Sequence, residues 1–123
     1  MSLKDTISCA EELLNATVSS GASLSGAMRL GGLRLFGFIM PSSWDAAELT
    51  VLGSFDGGTT FVPIKSSYDG TEITFVVNAS GFFPLPNPQI FAAVPMIKLQ
   101  SGTSASPVNQ AADRAIQLVL RSI

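Results

Sequence analysis

Apolar and polar positions alternate with a period of two along most of this chain. The runs are short and are separated by Gly, Pro, Asp and Ser. Glu48–Phe55 places Leu49, Val51 and Phe55 on one side and Glu48, Thr50 and Ser54 on the other. Glu72–Val77 turns Ile73, Phe75 and Val77 inward. Met96–Gln100 turns Ile97 and Leu99 inward and Lys98 outward. Ala115–Arg121 turns Ile116, Leu118 and Leu120 inward and Gln117 and Arg121 outward. Leu33–Met40 is apolar on nearly both faces and stops at Pro41, which cannot donate to a ladder; it predicts a central strand buried on both sides. Weaker strand signals cover 16–20, 24–30, 60–64 and 90–94. Some eight or nine short strands with one dry face each predict an all-β fold, an antiparallel two-sheet β-sandwich of the jelly-roll kind.

The first fourteen residues read differently. Ser8-Cys9-Ala10-Glu11 fits a capping box, and Ala10, Leu13 and Leu14 form an apolar stripe. The expected division is a short N-terminal arm or helix over 1–14 and a β-sandwich domain over 15–123.

Two turn signals hold three of the 11 glycines. Asp56-Gly57-Gly58 lies between two strand-like runs, and Asp69-Gly70 precedes a third. Asp-Gly and Gly-Gly supply the positive φ of tight turns. A calcium site needs six to eight oxygens, and each of these turns offers one carboxylate.

Composition narrows the function. The chain has 123 residues, a net charge of −2 and only 13% charged residues, against roughly 25% in ordinary soluble domains. Its 7 Lys and Arg are scattered, which argues against nucleic acid as a partner. No apolar run reaches the ~20 residues a bilayer span needs, so no membrane partner is expected. The start, MSLKDTISCAEELL, lacks the pattern of a secretory signal. So little charge suggests that part of the surface is covered by other chains.

Catalytic chemistry finds few supports. There is no histidine and one cysteine, Cys9. The usual general base is missing, as are a Ser-His-Asp or Cys-His pair and the usual zinc ligands. Glu11 and Glu12 are adjacent and point apart. Trp44 with Asp45 and Glu48 has the look of a sugar site, but a tryptophan packed on the end of a sandwich explains it as well. No catalytic residue, metal or cofactor is expected.

Two stretches exceed what turns require. Gly81–Pro88 carries Phe82 and Phe83 and then alternates Pro84, Leu85 and Pro86; it is stiff and apolar, suited to a core-covering loop or to a contact surface. Ser101–Arg114 is longer than a hairpin connection needs, and Pro107, Val108, Asn109 and Gln110 sit at its middle. An Asp113–Arg114 ion pair would pin it locally. These two stretches, with Leu13 and Leu14, are the candidate contacts.

Leu30-Gly-Gly-Leu-Arg-Leu35, Met40-Pro-Ser-Ser-Trp44, Ser54-Phe-Asp-Gly-Gly58, Lys98-Leu-Gln-Ser-Gly-Thr103 and Gln110-Ala-Ala-Asp-Arg-Ala115 occur in that order. Over about residues 16–121 the ordered set resembles small structural proteins of tailed bacteriophages and prophages. The resemblance implies a virion protein made in the host cytoplasm. Its expected form is a non-enzymatic capsid decoration, or cement, protein that binds the major capsid protein and its own copies as a homotrimer. The strand order also resembles discoidin-like and carbohydrate-binding-module jelly rolls. That implies an alternative, a glycan-binding module of a phage tail or head fibre, with Trp44, Asp45 and Tyr68 as its site.

Overall fold

A computed structural model describes residues 11–122. They form nine strands: β1 Glu11–Val18, β2 Met28–Arg29, β3 Arg34–Ile39, β4 Leu49–Ser54, β5 Val62–Pro63, β6 Thr74–Phe75, β7 Phe82–Pro84, β8 Met96–Ser101 and β9 Arg114–Arg121. One sheet has the order β1-β9-β3-β7 and the other β2-β8-β4-β5, with β6 also on β4. The pairings are nested and antiparallel: β1 with β9, β2 with β8, β3 with β7, β4 with β5. A long hairpin wrapped into two sheets has this order, so the sandwich is a jelly roll. β5 and β6 share one side of β4, split by an excursion whose turn carries Tyr68.

The core lies between the sheets. Leu35, Phe38, Leu49, Ile97, Leu99, Ile116, Leu118 and Leu120 are fully enclosed. Phe75 meets Phe38 edge-on at 5.6 Å and Phe91 at 6.1 Å. The alternation expected in β8 and β9 holds at every inward position.

Several expectations are corrected. The strand signal at the N-terminus starts at Glu11, not after residue 14. Residues 11–14 pair with 118–121 of β9, and this cross-strand pairing outweighs the local capping signal. Leu14 packs against the core. Ser8 and Cys9 lie outside the described residues. β3 is not buried on both faces. The register with β9 slips between Leu35 and Gly37, leaving Phe36 as a bulge. One extra residue switches the phase, so Leu35 and Phe38, three apart, both point inward. β4 is instead the strand buried at all six positions. It lies inside its sheet, and the Thr50 hydroxyl donates to the Gly102 carbonyl of a covering loop at 2.9 Å. Phe55 falls beyond β4 and is exposed. Residues 90–94 do not form a strand. A 3-10 turn spans Pro88–Phe91, started by the Asn87 carboxamide oxygen, which accepts from Gln89 N–H at 3.3 Å.

Candidate functional site

The loop after β8 is held at one end of the sandwich by Gln110. This side chain is 1% exposed. Its Oε1 accepts from Asp45 N–H at 2.8 Å and from Arg114 Nε at 3.2 Å. Its Nε2 donates to Asp45 O at 3.0 Å and to Ser101 Oγ at 2.8 Å. Its backbone pairs with Ala22 and Gly21. Gln110 is therefore a structural hub and is removed from the contact candidates. The ion pair is also different from the one expected: Arg114 reaches Asp45 at 3.2 Å, and Asp113 accepts from Ser20 N–H at 2.7 Å. Arg114 begins β9 and Asp113 directly precedes it, and the two side chains take different partners. Pro107 and Asn109 stay exposed and Val108 is half-buried.

The same network answers the sugar-site expectation. Asp45 Oδ2 accepts from Ala111 N–H at 2.6 Å, and Oδ1 takes Arg114. Trp44 is half-buried against the core, and its indole N–H donates to Ala47 O at 3.2 Å. Tyr68 is 99% exposed and lines a groove with Ile64, Ile73 and Ile90 that Trp44 does not reach. The three residues are not brought together.

The two Asp-Gly turns are built by their own carboxylates. Asp56 Oδ1 accepts from Thr60 N–H at 2.9 Å, Thr59 N–H at 3.1 Å and Ser54 Oγ at 2.9 Å. Gly57 and Gly58 have φ of 77° and 97°. Asp69 Oδ1 accepts from Thr71 N–H at 3.0 Å and Thr71 Oγ1 at 2.7 Å. The Thr60 N–H and then the Ser54 hydroxyl hold Asp56 below the usual aspartate range; the Thr71 N–H and then its hydroxyl do so for Asp69. The folded chain thus binds fewer protons than the unfolded chain in mild acid. The stabilisation is complete above the ordinary aspartate pKa of about 4 and is lost as pH falls through the depressed folded values. Asp56→Asn is expected to flatten the fall of Tm below about pH 4. An acid limb identical to the parent's would show that Asp56 has no part in it. Among the described residues no three acidic, thiol or imidazole groups come together in a way that would hold a metal ion.

What remains is apolar surface. At the open side of the sandwich β7 ends one sheet and β6 flanks β4 in the other. A groove of about 340 Å³ lies there, lined by Phe75, Val76, Phe83, Pro84 and Pro86 among others. A second, of about 440 Å³, runs from Trp44 to Val76 and Asn78. Val76 lines both and is 79% exposed. Phe82 is 51% exposed at the same edge. Of the Phe82–Pro86 candidates, Phe82 and Pro86 face out, Phe83 is half-buried, and Leu85 is buried in the core and is withdrawn. Phe82–Pro84 is also not a loop: it pairs with β3 through Ile39, Phe38 and Gly37.

A row of outward positions crosses the β1-β9-β3-β7 sheet. Leu13, 55% exposed, faces Val119, and Val119 faces Gly37. The Phe82 ring covers Gly37: a Cβ there would lie 2.5 Å from Phe82 Cε1. Leu13 therefore sits at a sheet edge opposite Phe82, and this row connects them. Val76 and Val119 escape a reading by stretches. Their signal is present in the sequence as apolar residues on the outward phase of alternating strands.

The class this defines is an all-β, two-sheet jelly roll with apolar surface at one open side and along one sheet face. Comparison with known proteins finds no matching family model, no matching curated protein and no matching solved structure.

Proposed function

We propose that the chain is a non-enzymatic virion structural protein of the capsid decoration type, and that it binds the shell of the major capsid protein through the open side of its sandwich. The observation that carries this reading is the pair of apolar grooves meeting at the exposed Val76, with Phe82 exposed on β7, the strand whose Phe83 and Pro84 line one of them. Contiguous apolar surface of this kind is unusual on a protein that works alone, and an exposed aromatic is a natural anchor. The ordered motifs that resemble phage structural proteins supply the kind of partner. The jelly roll by itself implies no function. Low charge and repeated copies suit a lattice, where many weak contacts add. The glycan alternative is less well supported, since the Asp45 oxygens are engaged by Ala111 and Arg114 and Trp44 and Tyr68 line separate grooves.

The test uses empty shells assembled from a major capsid protein of a tailed phage that carries this chain. Val76→Asp and Phe82→Asp are expected to lower shell occupancy at least tenfold, about 1.4 kcal/mol, while Tm stays near the parent's. Absence of parent-protein binding at micromolar concentration would sink the reading. Full occupancy by both variants would move the contact away from this side.

A further inference from the structure

The edges of the two sheets are not equally defended. A bare edge strand is a template for another strand, and proteins blunt it with short strands, prolines, charged side chains or bulges. β7 has three residues, includes Pro84, and is followed by Pro86. β2, β5 and β6 have two residues each, and β5 contains Pro63. β1 is different. It has eight residues, Glu11–Val18, with no proline, and its two charges, Glu11 and Glu12, both lie at one end. Its register with β9 runs unbroken through all eight pairs. Its other side makes one bridge, Val18 to Ser25, at its far end. Among the described residues nothing else pairs with it along Glu11–Thr17.

We propose that β1 is a self-association edge, taken by β1 of a second copy in antiparallel pairing about a two-fold axis. The strand's own residues select that occupant. Facing residues in such a pair stay on matching faces only if the axis passes through a residue position. An axis at Glu11 or Glu12 sets like charges opposite each other, which is unfavourable. An axis at Leu13 sets Leu13 against its copy, Glu11 against Asn15, and Glu12 against Leu14. It also joins the outward row Leu13–Val119–Gly37 of one copy to the same row of the other, giving one band over six strands. Two-fold pairing consumes the edge, so assembly closes at two copies, not at the three that the phage resemblance implies. Pairing at β1 does not depend on the capsid reading, because the shell contact lies at the other end of the sheet.

The first readout is molar mass against concentration by sedimentation equilibrium of the full chain. A monomer–dimer equilibrium is expected, weakened at least tenfold by Leu13→Lys, which places two ammonium groups side by side. Amide exchange is the second. Protection of alternate β1 amides should rise with parent concentration and not in the variant. For register, Cys9→Ser with Leu13→Cys is expected to cross-link as a dimer under diamide. A chain that stays monomeric at high concentration overturns the proposal, including in favour of a foreign strand at this edge. So does a dimer indifferent to Leu13→Lys, with unchanged β1 protection and no cross-link at position 13.

Discussion

Replacing Gln110 with alanine is expected to lower the unfolding free energy by about 3–5 kcal/mol, a fall in Tm of roughly 10–20 °C. The carboxamide is fully enclosed and makes four hydrogen bonds, to Asp45 N–H, Asp45 O, Arg114 Nε and Ser101 Oγ. Truncation leaves the Asp45 amide, its carbonyl and the Ser101 hydroxyl facing an apolar gap. Unpaired buried groups of this kind cost more than the hydrogen bonds themselves contribute. The same residue ties three segments that are far apart in sequence, so the loop after β8, the Asp45 loop and the turn at Gly21 should loosen together. Gln110→Met separates the causes. It keeps the volume and loses the hydrogen bonds, so it should recover only the cavity part of the loss. Urea and thermal denaturation measure both. An alanine variant within about 1 kcal/mol of the parent would show that water replaces the network at little cost.

Gly102→Ala is expected to cost about 3–4 kcal/mol, from two separable sources. Gly102 has φ of 85°, which alanine reaches only at a penalty. The added Cβ would also press on Ser106 O and lie 2.8 Å from Val108 N. Both are backbone atoms and cannot rotate aside. The turn held by Thr103 and Ser106 must then open, and with it the Val108 N–H bond to Ser101 O at 2.9 Å. Gly21→Ala is the control. Its φ is 78° and its Cβ would meet nothing within 4 Å, so it pays only the backbone term of about 1–2 kcal/mol. Equal losses in the two variants would show that the loop yields without resistance. Early exchange of the Val108 amide in Gly102→Ala alone would locate the damage.

The loop's role was hard to see in sequence for a definite reason. Gln110 reads as one more polar residue in a long polar connection, and its partner Asp45 is 65 positions away. Burial of a polar group is decided by what closes over it, and that is a long-range matter. Phe82–Pro84 was hidden for the opposite reason. Two prolines argue locally for a loop, yet an edge strand needs donors on one side only, so the segment still pairs with β3. The bulge at Phe36 also has no local mark: the run of apolar residues hides the change of phase.

Period-two alternation was enough, by itself, to establish the all-β class, the two-sheet sandwich and the inward faces of β8 and β9. Each of those depends on side chains two residues apart, and one strand contains the whole pattern. The Asp-Gly turns were equally local, since a carboxylate accepting from amides up to four residues on completes itself. Only the tertiary structure decided that β4 is sealed on both faces, that Gln110 and Leu85 belong to the interior, and that Val76, Phe82 and Leu13 remain outside. Those outcomes depend on which strand ends beside which, and nested pairings such as β1 with β9 join residues over a hundred positions apart. Exposure is a property of the packed whole, and no stretch of the chain carries it alone.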